Sequence, residues 1–325
     1  MTKKNIAIVT GGYSGESVIS YRTAQTAIDH IDTTLFNPTL VDIRKEGWFA
    51  KKDGREYPIN RNDFSFTDEL GTTTFHCAYL ALHGTPGEDG KLQAYFDLIH
   101  LPYNTGDTLN MSVTFNKKFT TSVLGTSGFN VSKSQLIRKE NLLTAEKEIN
   151  QNLSYPLFVK PNNGGSSIGI SRVNQSGDIQ QALLKAFQED NEIIVEEFIE
   201  GREFTCGVAW YQGKIQALPI TEIITENEFF DFSAKYEGKS KEITPAPLTE
   251  RETALIQNTA VAIYQTLQCK SIIRIDFILN QRGAFVIEVN TIPGMSSASI
   301  VPQQLAILGY PLKEVLTEQI TRVLK

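Results

Sequence analysis

Two strand patterns near the carboxyl terminus limit what this chain can fold into more than any other feature. In Ser271-Ile272-Ile273-Arg274-Ile275-Asp276-Phe277 the residues alternate, so Arg274 and Asp276 share one face while Ile273, Ile275 and Phe277 share the other. Phe285-Val286-Ile287-Glu288-Val289-Asn290 repeats the device with Glu288 and Asn290. The intervening Asn280-Gln281-Arg282-Gly283 reads as a hairpin turn, which predicts antiparallel neighbours whose polar faces form one cup. Two carboxylates and an amide are hard oxygen ligands, suited to Mg²⁺ that bridges phosphate oxygens. One such pair alone would fit an interstrand salt bridge on a wetted face. Two matched pairs, running into the loop Asn290-Thr291-Ile292-Pro293-Gly294, favour a binding site.

Upstream, strands alternate with helices. A short β-rich run at 6–9 ends in Gly11-Gly12, a helical pattern follows at 17–31, and a second strand is expected at 39–43. Asp53-Gly54 between two alternating runs marks a hairpin, and a buried strand at 75–82 stops at His83-Gly84. Such a pattern predicts a mainly parallel sheet with functional loops at the strands' carboxyl ends, which singles out residues 11–17 and 83–90. The middle reads as helical near 116–124 and 138–150, then as a strand at 155–161 closing on a Gly/Ser-rich loop at 162–169. A helix at 178–189 leads to strands at 192–199, 203–210 and 214–224, the last two joined by Gln212-Gly213. A polar stretch at 225–247 precedes a helix at 249–267.

The bulk properties narrow the class. At 325 residues the chain exceeds one average domain, so two or three units sharing a cleft are expected. The net charge of −6 comes without a basic tract, which argues against nucleic acid as a partner. No segment approaches the roughly 20 apolar residues of a membrane helix, and the start of the chain runs into a strand without the features of a signal peptide, so an intracellular, soluble protein is expected. Cys77, Cys206 and Cys269 are widely spaced in apolar runs and read as buried free thiols. His30, His76 and His100 read as structural or surface residues.

Two further segments carry chemistry. Lys160 at a strand end, followed by Pro161-Asn162-Asn163-Gly164-Gly165-Ser166-Ser167, could pin a phosphate under a backbone loop or could be a plain connector. It is not a Walker A loop, since no Gly-Lys-Ser/Thr closes it. The acidic run Glu196-Glu197-Phe198-Ile199-Glu200-Gly201-Arg202-Glu203 offers carboxylates for ribose hydroxyls and extended backbone for a base edge, or a solvated charge run.

The order of these segments carries a resemblance. Phe158-Val159-Lys160-Pro161, Gly165-Ser166-Ser167-Ile168-Gly169, Val195-Glu196-Glu197-Phe198-Ile199, Arg274-Ile275-Asp276 and Glu288-Val289-Asn290-Thr291-Ile292-Pro293-Gly294-Met295 resemble the ATP-grasp superfamily. Gly11-Gly12-Tyr13-Ser14-Gly15-Glu16, Ala81-Leu82-His83-Gly84, Gly87-Glu88-Asp89-Gly90, Ala234-Lys235-Tyr236 and Ser296-Ser297 with Ser299 resemble the D-alanine–D-alanine ligase family within it. The motifs cover nearly the whole chain in the family's order.

The resemblance implies an α/β ATP-grasp fold. An N-terminal open parallel α/β domain (1–112) would carry the first D-alanine loop, and two α+β subdomains would clasp ATP, a central one (113–205) and a C-terminal one with the metal and oxyanion site (206–325). It implies a cytoplasmic ligase, a homodimer in its relatives, that phosphorylates the carboxylate of one D-alanine with ATP. The amine of a second D-alanine then attacks the acylphosphate, giving D-Ala-D-Ala, ADP and phosphate for peptidoglycan precursors. By matching position, Lys117 and Lys160 would bind nucleotide phosphates, Lys235 the terminal phosphates and Glu203 the ribose. The backbone from Glu196 through Glu197 to Ile199 would frame the adenine. Asp276, Glu288 and Asn290 would hold two Mg²⁺ ions, for which Mn²⁺ can substitute. Glu16 would bind the first ammonium, held in turn by Ser166 and Tyr236, with Ser166 also near the nucleotide and His83 near the first carboxylate. Arg274 and the Gly294 N–H would form the oxyanion pocket, and Ser299 would hold the second carboxylate. The 162–169 loop and the 225–247 stretch would close as lids. Two departures from the family pattern are Ser17-Val18-Ile19, where charged residues are common, and Ala298, where some relatives carry a bulkier polar residue. Tyr236 favours a second D-alanine over D-lactate.

Overall fold

The computed structural model describes residues 2–165, 168–225 and 240–324. Ser166, Lys235 and Tyr236 therefore lie outside the described residues, as does most of the stretch expected to act as a lid.

The first unit grows around β1 (Lys4–Gly11), whose Ile6, Ala7, Ile8 and Val9 are fully buried. Helix α1 (Ser17–His30) returns the chain to β2 (Phe36–Arg44), followed by the hairpin of β3 (Gly47–Lys52) and β4 (Arg55–Pro58). A small β5 (Phe66–Asp68) and β6 (Gly71–Thr73) pair precedes β7 (Cys77–Leu80) and α2 (Lys91–Leu98). The sheet order is β4-β3-β2-β1-β7, with β1 parallel to both neighbours. A strand buried on both faces needs covers on both, which is why β1 reads as an unbroken apolar run. One cover is the aromatic cluster of Phe64, Phe66 and Phe96; the other is α1 together with a helix from the far end of the chain. The strand expected at 75–82 is shorter, because β7 has one ladder partner, β1, and pairs only from Cys77 to Leu80.

The middle of the chain holds α3 (Thr108–Phe115), α4 (Lys117–Thr126), β8 (Asn130–Val131), β9 (Ser134–Arg138), α5 (Leu142–Asn152), β10 (Leu157–Pro161), β11 (Ser171–Val173), α6 (Ile179–Ala186) and β12 (Glu192–Glu197). Four of these strands form an antiparallel sheet, β11-β10-β12-β9. Strand β9 was not foreseen, and the helix expected from 138 begins at Leu142 after a 3₁₀ turn. Arg138 stays in the sheet because it pairs with Glu192 in register, its Nε 2.9 Å from the Glu192 carboxylate. Asn116 does not join α4 but caps it, its side chain accepting the Phe119 N–H.

The last part contains β13 (Arg202–Tyr211), β14 (Lys214–Ala217), β15 (Thr221–Thr225), β16 (Ser240–Ile243), α7 (Glu250–Thr266), β17 (Ile273–Asn280), β18 (Gly283–Asn290), α8 (Ile300–Ile307) and α9 (Leu312–Val323). The strand expected at 214–224 is two strands, both paired with β13. Pro219 lies between them, and without an N–H it cannot continue the ladder. The path β16-β15-β13-β17-β18-β8 makes the third sheet. Its apolar face packs on α7, entered through a Thr249–Glu252 capping box, and on Leu124 of α4 and Val131 of β8. Helix α9 returns to the first unit, where Leu316 and Ile320 pack beside Ile6, Ile8 and Tyr79.

Candidate active site

The two late strands pair as the alternation predicted. Arg274 faces Asn290 and Asp276 faces Glu288, with a register irregularity immediately after Asp276. Arg274 grips Asp276 with both Nε and Nη2 at 2.9 Å, and Thr205 on neighbouring β13 donates to the same carboxylate at 2.6 Å. Asn290 Oδ1 is buried with no hydrogen-bond partner among the described residues. Beside the Asp276 and Glu288 carboxylates, this unpartnered oxygen is available as a ligand atom.

This polar row lies between two cavities. One, of about 300 Å³, takes Arg274 and Asn290 on one side, Glu16 and His83 on another, and Gly294 and Ser299 on a third. The other, of about 500 Å³, is walled by Phe158, Phe198, Ile199, Ile223 and Ile278, with Asp276 at one limit. Lys117 and Glu288 line both. An apolar slot opening into a charged chamber suits a flat base with a polyphosphate tail, and the shared Lys117 and Glu288 mark where the tail would cross.

The N-terminal wall of the smaller cavity is built from the ends of β1 and β7. Glu16 is the N-cap of α1. A Cβ on Gly165 would fall 2.6 Å from Glu16 Oε1, so the Gly-rich loop reaches over Glu16 only because that position lacks a side chain. His83 is buried, its backbone N–H donating to Ser20 Oγ at 2.9 Å and its Nε2 lying 2.9 Å from Thr23 Oγ1. Burial, and then the Arg274 guanidinium, push the imidazole down to about 4, so His83 is neutral at pH 7. Gly294 is close to Ser299, and Ser299 Oγ is 2.8 Å from Ser296 Oγ.

In the larger cavity, Lys160 and Glu196 form a mostly buried ion pair at 2.6 Å. Lys117 Nζ donates to the Gly164 carbonyl at 2.5 Å, tying α4 to the Gly-rich loop. Glu197 turns its side chain away to accept the Ser154 N–H, and the Glu197 and Phe198 N–H groups are spent on Lys133 O and Pro156 O. Among the described residues of this stretch, the Ile199 N–H makes no internal bond. Glu203 lines the same space.

The D-ala D-ala ligase N-terminus family model matches residues 5–106, and the D-ala D-ala ligase C-terminus model matches 123–321. The chain belongs to the D-alanine–D-alanine ligase family. It is 44% identical to the D-alanine–D-alanine ligase of Azobacteroides pseudotrichonymphae over 98% of this chain and 100% of that one. It is 43% identical to that of Flavobacterium johnsoniae, with 98% of each covered. The crystal structure of VanG D-Ala:D-Ser ligase from Enterococcus faecalis superposes with a TM-score of 0.87 at 30% identity, covering 98% of this chain and 99% of that one. The three sheets are thus the ATP-grasp architecture with its N-terminal α/β unit, and the ligase is ATP-dependent. It joins two D-alanines through an acylphosphate to D-Ala-D-Ala, with release of ADP and phosphate, for peptidoglycan precursors.

Several pocket residues of the ligase escaped the reading of single motifs. Glu88 lines the smaller cavity and accepts the Gly84 N–H at 2.6 Å; burial, and then the Glu16 charge, push it up to about 8. Nothing local in Gly87-Glu88-Asp89-Gly90 says that this glutamate faces Glu16. Glu242 on β16 also lines that cavity, its carboxyl raised by burial against the Arg274 charge. Outside the cavity linings, cross-strand pairing brings Thr205 to Asp276, and Lys118 bonds Ser134. Among the described residues no helix is long and apolar enough to cross a membrane.

Proposed function

We propose that this ligase divides its work between the two cavities and performs both chemical steps at their junction. The observation that carries this is the register of β17 and β18, which sets Arg274, Asp276, Glu288 and Asn290 in one block beside Lys117. ATP takes the larger cavity, with adenine against Phe158, Phe198 and the Ile199 N–H, ribose at Glu203, and phosphates along Lys160 and Lys117. Lys235 and Ser166 complete this set by resemblance. The first D-alanine puts its ammonium at Glu16, supported by Ser166 and Tyr236, and its carboxylate near His83. A neutral imidazole there adds a hydrogen bond without competing charge.

Asp276, Glu288 and the Asn290 oxygen fit a divalent cation in chemistry: all are oxygen donors and would hold it while leaving room for phosphate oxygens and water. We propose two Mg²⁺ ions, with Mn²⁺ able to replace them. Bound there, they neutralise the charge that gathers as the γ-phosphoryl group moves. Asp276 is held by Arg274 and Thr205, so the carboxylate is aimed before any ion arrives. Arg274 and the Gly294 N–H receive the oxyanion of the second step, each worth about 3 kcal/mol in such pockets. Ser299 holds the second carboxylate. Acylphosphates hydrolyse in water, so the Gly-rich loop over Glu16 serves as a lid.

The resemblance divides the chain at 112 and 205. The packing of α4 and β8 on the third sheet, and the start of β13 at Arg202, support limiting the central unit to the residues between Val131 and Arg202. A homodimer and a cytoplasmic site are proposed from the relatives. The deciding experiment is incubation of the full chain with ATP, Mg²⁺ and D-alanine, alone and against D-serine or D-lactate. Release of ADP and phosphate with D-Ala-D-Ala as the main product is expected; phosphate release only with another acceptor would replace the second substrate. Glu288→Gln should abolish turnover while nucleotide binding, read by calorimetry, persists.

A further inference from the structure

Helix α1 brings a single face to the smaller cavity: Glu16 at the N-cap, then Ile19, Arg22 and Thr23. The spacing is that of neighbours on one helical stripe. Three of the four have a described place. Glu16 meets the Gly-rich loop, Ile19 gives apolar wall and Thr23 bonds His83. Arg22 lines the same cavity, yet its guanidinium makes no hydrogen bond or ion pair among the described residues. Arg22 is exposed to solvent and not part of the packing served by Ala24 and Ala27, so its guanidinium is available to a ligand that enters the cavity.

The start of α8 lines the same cavity. Ser299 is its N-cap, but the Ser299 side chain makes no capping bond; it turns to Ser296, and Ser299, Ile300 and Val301 all line the space. Unfilled N–H groups at that end favour an anion. We propose that Arg22 binds the carboxylate of the second D-alanine, and of the dipeptide product, alongside Ser299. The proposal rests on the reading that places the second D-alanine in this cavity.

Charge order and length support it. The product is a zwitterion whose ammonium and carboxylate stand about 7 Å apart when two residues are extended. Glu16 and Arg22 present the complementary charges in the same order, about 9 Å apart along α1 at roughly 1.5 Å per residue. The helix then works as a ruler that accepts an acid-terminated acceptor and disfavours one lacking the carboxylate. Guanidinium suits this because its parallel N–H groups meet both carboxylate oxygens at once.

The test is steady-state kinetics of full-length Arg22→Gln and Arg22→Lys, resolving the constants for the two D-alanines, with D-alaninamide as an alternative acceptor. Loss of one charge-assisted contact should raise the acceptor KM by about tenfold in the Gln variant, with less loss in the Lys variant. The KM values for ATP and the first D-alanine should stay put, and the preference for D-alanine over D-alaninamide should shrink. Arg22 is exposed, so the melting temperature should not move. An unchanged acceptor KM in a normally folded Gln variant, or an equal rise for both D-alanines, would overturn the proposal. Ser299→Ala separates the two claims: a raised acceptor KM there supports the Ser299 contact, while an unchanged one beside a raised value in Arg22→Gln removes Ser299 and leaves Arg22.

Discussion

His83 shows how a single buried side chain governs acid stability. Its folded-state value of about 4 lies below the ordinary 6.5 because burial and Arg274 disfavour the charged ring. Above pH 6.5 both folded and unfolded chains carry it neutral. As pH falls towards 4 the unfolded chain takes up a proton that the folded chain refuses, so stability drops across that window. The loss should be on the order of 3 kcal/mol at 1.36 kcal/mol per unit. Urea denaturation at pH 7 and pH 4.5 checks this: the wild type should lose clearly more stability than His83→Gln, and parallel losses would refute the cause. Of the residue-scale features, Arg274, Asp276, Glu288 and Asn290 were legible from alternation alone, since strand facing has a period of two. Glu88 was not legible, because its meaning comes from Glu16, which lies far away in sequence.

At the scale of elements, the Gly-rich loop is informative. Lys117 Nζ holds the Gly164 carbonyl from α4, while Gly165 abuts Glu16 from α1, so one loop is pinned by two helices of different units. Gly165→Ala adds a methyl group 2.6 Å from Glu16 Oε1, and either the loop or the carboxylate must move. Misplacement of an ammonium-binding group by about 1 Å can cost on the order of 100-fold. The expected result is a large fall in kcat/KM for the first D-alanine with a smaller change for ATP and an unaltered melting temperature; an equal fall for both substrates would instead indicate a failure of the loop as a whole. Element boundaries explain the sequence errors too. The run at 214–224 has strand residues throughout, but Pro219 breaks the ladder and lets two strands share β13. Strand β9 has little apolar alternation and is a strand because β12 offers it a partner.

At the scale of the molecule, α9 closes the chain onto its beginning. Leu316 and Ile320 are buried beside Ile6 and Ile8, so the terminal helix forms part of the core of the first unit. Leu316→Ala or Ile320→Ala should cost about 2–5 kcal/mol. Hydrogen exchange is expected to rise in β1 as well as in α9; loosening confined to α9 would mean that the helix is an appendage. The Gly294–Ser299 segment, whose Met295 packs with Val315 of α9, lines the smaller cavity together with Glu16 and His83.

The amino-acid sequence alone determined β17 and β18, their facing residues, the hairpin that joins them, and the order of motifs that marks the family. These follow from local rules: a two-residue period and turn chemistry. Only the tertiary structure decided that Glu88 and Glu242 enter the substrate cavity, that α1 turns Arg22 towards it, and that α9 completes the first core. Each depends on which distant surfaces bury one another, and that outcome leaves no mark in neighbouring residues.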